Sequence, residues 1–440
     1  MARRAEKIGK WRPWIIDQLP ASPDCLPILQ ELESDLGLEL MMLAHQVLLR
    51  AGPTPAPESG TGDSSVLRSA AEIKSHVKER REYAMGEAPA DLIPELRTLW
   101  DVAARPLSEL AAACGYVSEW ARGAGYPTTA TVFAEAGATV APDDPHAAFL
   151  AGRANRLTQQ FWRAEVFYRR AIRLAYRELN WDVYIRSLLG LGKLMSESGR
   201  ADVAEEFYST AASVAETEGL KWLAAQTYHD MLVLHFDSGD LDRALDYARR
   251  ALRTYPAHNE RLPIFVHDVA FVLIAGCHFD DAFPILRAVF KAPLDPQEQV
   301  LVAGTMARAA GSLRLEEDLA EAEARLLAHA PHHTYHAAFS MLNLAHGMRA
   351  IGDWRRAEQY AARALVLADE TDVDYVRVHG AALREEIRMR VPAPPAASAP
   401  VDRQLAEDLR ALAPRVEGWH NAPGWKARWG SIEPKRVGTV

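Results

Sequence analysis

Two histidine–aspartate doublets, His229-Asp230 and His267-Asp268, stand 38 residues apart and are the side chains of this sequence best suited to acid–base or metal chemistry. Imidazole nitrogens and carboxylate oxygens are the donor set of hydrolytic zinc centres. Adjacent residues on a helix diverge by about 100 degrees, so one doublet does not converge on one ion. The spacing is also what duplication of a structural unit produces without any catalysis. His332, His333 and His336 raise the same question. His332 and His336 would share a helix face, but no acidic or cysteine partner is evident nearby, and the three fit the start of a helix after Pro331. There is no phosphate-cradling glycine loop, GxSxG elbow or HExxH helix. A metal-dependent hydrolase using the doublets is therefore the least favoured reading. No catalytic residue, metal or cofactor is expected, and the balance moves toward a binding protein.

The 440 residues are 49% apolar and 25% charged, the balance of a soluble globular protein. A formal charge of −9 supplies no blanket attraction to nucleic acid or to an anionic membrane. The basic start Met1-Ala2-Arg3-Arg4 is followed by Trp11, Arg12, Pro13 and Asp17 instead of the apolar core of a signal peptide. No stretch approaches the roughly twenty apolar residues of a membrane helix, so a cytoplasmic location is expected. Cys25, Cys114 and Cys277 lack metal-type spacing and read as small buried hydrophobes.

The elements that must position these residues are helices. Residues 1–51 form an N-terminal helical segment whose helix opens at Ser22-Pro23-Asp24, carries Leu29, Leu32, Leu36, Leu40, Leu43 and Val47 at helical spacing, and stops at Gly52-Pro53. Residues 52–65 read as a flexible linker and 66–106 as a helical lead-in. Over 107–390 a pattern recurs: a small residue, an alanine twelve positions on, an aromatic or small residue four further, and an alanine three beyond that. Gly152, Ala164, Tyr168 and Ala171 make one copy; Gly192, Ala204, Tyr208 and Ala211 a second; Leu232, Ala244, Ala248 and Ala251 a third; Ala345, Ala357, Ala361 and Ala364 a late one. Gly199, Gly239-Asp240 and Gly352-Asp353 precede their central alanines as turn signatures, glycine ending one helix and aspartate capping the next. Residues 391–400 are a Pro/Ala-rich spacer. Residues 401–440 hold a short helix and a tail with Trp419, Trp425 and Trp429 among Lys426, Arg428, Lys435 and Arg436, read as an end cap or as a partner-binding motif.

These residues resemble the tetratricopeptide repeat family, in which small side chains occupy the closest helix crossings. Central alanines fall at 130, 164, 204, 244, 282, 320 (or 322) and 357, giving intervals of 34, 40, 40, 38, 38 and 37 when counted through Ala320. Most exceed the family's usual length of about 34 and look like the elongated repeats of bacterial regulatory proteins, peptide-sensing regulators among them. The match is weak at Ala130, and at Ala320, where Arg308 falls on the small-residue site. The resemblance implies an all-α fold: a right-handed superhelical solenoid of helical hairpins with an N-terminal helical extension and a C-terminal capping segment.

The resemblance further implies that the first helix of each hairpin lines a concave groove, exposing residues eleven, fourteen and fifteen before each central alanine. That count selects Arg153, Lys193, His229, Asp230, His267, Asp268, Asn343 and His346, with Arg186 and Gln226 extending the row. Arginine and lysine could hold a peptide carboxylate, and the His-Asp pairs could hydrogen-bond an extended backbone; alternatively these side chains join adjacent repeats. The family's carboxylate clamp is not supported, since only Lys193 and Asn343 have its chemistry and they lie far apart. The expected function is a non-enzymatic scaffold or regulatory sensor binding a protein or peptide, with no membrane role and with self-association through a solenoid end or the Trp-rich tail as an option. A DNA-associated regulator is the alternative, with Leu110–Ser118 as the start of a helix-turn-helix. Its recognition helix would be Glu119–Gly125, a poor reader of bases with two glycines and one arginine. Nucleic acid is accordingly disfavoured, and Leu110–Gly125 reads instead as the first helix of the first repeat.

Overall fold

How closely two helices approach is set by the side chains at their crossing, and here the crossings are made of glycine and alanine. A computed structural model of the chain describes residues 28, 31–32, 34–51, 78, 81–256, 259, 261–294, 296–330, 334–371, 373–397 and 403–417. The linker 52–65, residues 66–77 of the expected helical lead-in, His332, His333 and the tryptophans of the tail lie outside them. The fold is all-α. The helices are α1 (Asp35–Ala51), α2 (Ile93–Trp100), α3 (Leu107–Gly123), α4 (Pro127–Val140), α5 (Pro145–Leu157), α6 (Phe161–Arg177), α7 (Trp181–Glu197), α8 (Ala201–Thr217) and α9 (Lys221–Asp237). They continue as α10 (Leu241–Thr254), α11 (Leu262–Ala275), α12 (Phe279–Lys291), α13 (Pro296–Ser312), α14 (Glu316–His329), α15 (Thr334–Ile351), α16 (Trp354–Thr371), α17 (Asp374–Arg388) and α18 (Arg403–Glu417). From α3 onward the odd-numbered helices to α17 are the first (A) helices of hairpins and the even-numbered ones to α16 the second (B). Among the described residues no helix is long and apolar enough to cross a membrane.

The chain divides into two compact units, Met1–Leu223 and Ala224–Val440. In the first, α1 packs on α4 and α2 through Leu36, Leu40, Leu43 and Val47 against Leu96, Leu99 and Phe133. Glu31 accepts hydrogen bonds from the backbone N–H groups of Thr128 and Thr129, both at 2.7 Å, and so serves two donors that the first turn of α4 leaves without a helical partner. α3 runs unbroken through Gly115, so Leu110–Ser118 is not the first part of a helix-turn-helix. The Tyr168 ring shows why the repeat demands its glycines. A Cβ on Gly152 would lie 2.7 Å from the ring, and one on Gly190 would lie 2.4 Å from it, so the tyrosine fills the gap between two successive A helices.

In the second unit α13 and α15 approach closely where Gly304 meets Ser340 and Gly311 meets Gly347 backbone to backbone. The turn signatures behave as their residue types require: Gly239 and Gly352 have positive φ, and the side chains of Asp240 and Asp353 accept from the N–H groups of Arg243 and Arg356. After α17 the chain turns back. Arg349 donates from Nε to the Val391 carbonyl at 2.9 Å and from Nη2 to that of Pro392 at 2.8 Å, and the Ala397 N–H donates to the Cys277 carbonyl at 2.8 Å. α18 then lies against α12 and α11, joined by the pairs Lys291–Glu417 and Arg410–Asp281, both at 2.8 Å. The Pro/Ala-rich segment is thus a strap along the array, and the helix behind it covers α12.

Candidate functional site

The repeat register decides which residues share the A-helix face. Ala322 is fully buried whereas Ala320 is exposed, so Ala322 is the central alanine of its hairpin and Ala310, also fully buried, is the small residue twelve before it. Arg308 therefore does not occupy the small-residue site. It stands fourteen before Ala322, in the row of Asp230, Asp268 and Asn343 on α9, α11 and α15.

That row is wired from helix to helix. Asp268 accepts from His229 Nε2 at 2.8 Å and from His267 Nδ1 at 2.9 Å. Burial pushes its carboxyl upward, but the two histidine hydrogen bonds and their charge outweigh this and hold it well below the usual carboxylate range. An ionised carboxylate only accepts, so both facing ring nitrogens carry protons. His267 Nε2 reaches Thr305 Oγ1 on α13 at 3.0 Å, and the other nitrogen of His229 lies 3.4 Å from the Tyr255 hydroxyl. On the next pair of helices Arg308 Nη1 donates to Asn343 Oδ1 at 3.3 Å.

The residues selected from the sequence are distributed as follows. In the first unit Arg153 is paired with Glu119 at 3.1 Å, Arg186 with Asp182 at 2.6 Å while its guanidinium lies 4.4 Å from the Trp222 ring centroid, and Lys193 is half-buried beside Glu197. In the second, Gln226, Asp230 and Asn343 are buried, and His229 and His267 retain only 4% and 2% exposure. The histidines are committed to neighbouring helices, and among the described residues no group of three His, Cys, Asp or Glu side chains is placed to hold a metal ion. His346 is half-buried on α15. Burial, and then the positive charges of Arg308 and Arg349, lower its pKa well below the ordinary histidine value and keep it neutral.

Beside this polar row runs an aromatic one that the count of polar residues passes over. Phe236 on α9 meets Phe271 on α11 with ring centroids 5.3 Å apart; Phe271 meets Phe339 on α15 at 5.1 Å; Phe339 meets Tyr375 on α17 at 5.9 Å, and Tyr375 meets His379 at 4.1 Å. The phenylalanines are half-buried and Tyr375 is 43% exposed, so the row is partly open to solvent. Phe271 stands eleven before Ala282, one of the counted positions, and Phe339 one helical turn before Asn343 on the same face.

Residues 180–257 match the tetratricopeptide repeat family model. No curated protein matches the chain. Among solved structures the chain is similar to BtubC (BKLC) from P. vanneervenii, with 18% identity over 68% of this chain and 99% of that one and a TM-score of 0.31. It is also similar to a circular tandem repeat protein with novel repeat topology and enhanced subunit contact surfaces, with 16% identity over 85% of each chain and a TM-score of 0.17. At these TM-scores neither likeness bears on function. The tetratricopeptide repeat is thus shown for residues 180–257, the span of α7 to α10, within an array of hairpins built from glycine- and alanine-lined helices.

Proposed function

We propose that the second unit binds a segment of a partner protein along its A-helix face, as a cytoplasmic, non-enzymatic scaffold. Tetratricopeptide repeats commonly mediate protein interactions, which supports the general reading. The observation that carries the specific one is the partly exposed aromatic row from Phe236 to Tyr375. Aromatic rings in a row across α9, α11, α15 and α17 give a partner large apolar contact at little entropy cost, and such side chains dominate binding energies. The His229–Asp268–His267–Thr305 network beneath fixes the helices that carry the rings, so its role in this reading is to hold the surface in place.

The test is a displayed library of random peptides selected on the full chain. Peptides carrying apolar or aromatic side chains are expected to be enriched, and Phe271→Ala and Phe339→Ala are each expected to weaken a selected peptide about 30-fold, the loss of a buried contact residue worth about 2 kcal/mol. Unchanged affinity in both variants, with circular dichroism melts matching the parent, would overturn the assignment.

A further inference from the structure

Two consecutive second helices of the first unit carry opposite charge on their outward faces. α6 holds five arginines and one glutamate, a balance of +4, and α8 holds four acidic residues and no basic one, a balance of −4. On α6 the exposed residues Trp162, Val166, Arg169, Arg173 and Arg177 follow one another at intervals of three or four and so form one stripe. Trp162 is 69% and Val166 57% exposed, so two large apolar side chains stand in water beside the arginines. The exposed stripe of α8 begins with Asp202 and Glu206 and continues with small polar residues, Ser209, Ser213 and Thr217. Arg169 is paired with Glu165 on its own helix at 2.8 Å, but among the described residues no carboxylate pairs with Arg173 or Arg177 and no cation with Asp202 or Glu206. Glu178 and Arg200, the residues of opposite sign next to each stripe in sequence, form no ion pair with them either. The following second helix, α10, is different: it mixes both signs and satisfies them internally, Arg249 and Arg250 with Asp246 at 3.8 and 3.1 Å.

We infer that this face joins two copies of the chain, the arginine end of α6 on each copy meeting the acidic end of α8 on the other. α6 and α8 both pack on α7 and, as second helices of consecutive hairpins, run in the same direction, so Arg173 and Arg177 at the end of one lie diagonally across the face from Asp202 and Glu206 at the start of the other. A two-fold axis in the plane of the interface exchanges those two corners and makes both contacts at once. The spacing matches as well: each pair of like charges is four residues apart, one helical turn, so one turn of arginines can meet one turn of carboxylates. A second copy is the occupant that uses both signs. A polyanion or an anionic membrane attracted to α6 would be repelled by α8 beside it, and an unrelated acidic protein would leave the carboxylates of α8 without a role. Two helices about 25 Å long and about 10 Å wide each offer about 500 Å² per copy, which is the low end for a specific contact and makes the dimer weak and sensitive to salt.

Sedimentation velocity of the full chain across the micromolar range, in low and in high salt, tests this. A monomer–dimer equilibrium is expected, weakened at least about tenfold by high salt. The double variant Arg173→Glu, Arg177→Glu and the double variant Asp202→Arg, Glu206→Arg each set like charges against one another, so each alone is expected to be monomeric. An equimolar mixture of the two is expected to dimerise again, because both contacts of the mixed dimer join opposite charges. Trp162→Ser is expected to weaken the dimer at least about tenfold through lost apolar contact. A wild type that stays monomeric, a dimer that survives either double variant, or a mixture that stays monomeric would each overturn the interface, and assemblies larger than a dimer that respond to these variants would overturn the two-fold arrangement. All four charged side chains are exposed, so circular dichroism melts should match the wild type. If a reversal variant melts early, the neutral variant Arg173→Gln, Arg177→Gln replaces it, and dimerisation unchanged there would overturn the interface equally.

Discussion

Replacing Asp268 by asparagine preserves the shape of the side chain and removes the charge that His229 and His267 share. Asp268 accepts one hydrogen bond at 2.8 Å from α9 and one at 2.9 Å from its own helix, and through His267 it is linked to Thr305 on α13. Each hydrogen bond to a charged group contributes about 1.5–3 kcal/mol. Asparagine keeps one acceptor oxygen but turns an NH2 group toward the second histidine, so the expected loss is one such bond plus the charge on the other, about 2–4 kcal/mol in all. Urea denaturation of the full chain measures it, and hydrogen exchange localises it: amides of α9, α11 and α13 should exchange faster, and those of α3 to α6 should not change. The His229→Ala, Asp268→Asn double variant should be less destabilised than the sum of the singles by about 1 kcal/mol or more. A loss below about 0.5 kcal/mol, or strict additivity, would refute the claim that Asp268 ties these helices together.

Three further outcomes follow from the same geometry. Gly190→Ala places a Cβ 2.4 Å from the Tyr168 ring and should destabilise by about 1–3 kcal/mol in denaturant titration, with most of the cost relieved in a Tyr168→Leu background. His346 has a folded pKa below its unfolded value, so as the pH falls below about 6.5 the unfolded chain takes up a proton that the folded one refuses. Stability contributed by the neutral form is therefore present above that pH and declines below it by at most about 1.4 kcal/mol per pH unit, a slope that His346→Leu should reduce in melts between about pH 7 and 5. Arg349→Met removes both carbonyl contacts to the strap and the pair with Glu386, and exchange of the Ala397 amide, which donates to Cys277, should accelerate at least about tenfold.

Much of the fold is legible in the sequence because a close helix crossing tolerates few side chains. Gly152, Gly192, Ala204 and Ala244 are legible for that reason, as are the turns at Gly239 and Gly352. The register is ambiguous where two alanines stand two apart: counting from Ala320 puts Arg308 on the small-residue site, counting from Ala322 puts Ala310 there, and the burial of Ala322 and Ala310 decides it. That ambiguity hides Arg308, which looks like a defect in the repeat when counted from Ala320 and joins the row of Asp230, Asp268 and Asn343 when counted from Ala322. The aromatic row is missed for another reason. Selecting polar residues at the groove positions passes over Phe271, although it occupies one of them. Selecting His229 and His267 for their chemistry, in turn, says nothing of what stands opposite on the next helix, and that neighbour turns out to be Asp268 for one and Thr305 for the other. The docking of α18 on α12 is beyond sequence reading because Arg410 and Asp281 are 129 residues apart, with no local pattern to link them.

The central claim is that partners bind on the A-helix face of the second unit. Hydrogen exchange of the full chain, with and without a saturating peptide selected from the displayed library, tests it directly. The account predicts slowed exchange in the segments 230–240, 265–275, 336–346 and 374–380, which carry the aromatic row. Protection confined to α6 and α8, with those four segments unchanged, would contradict it.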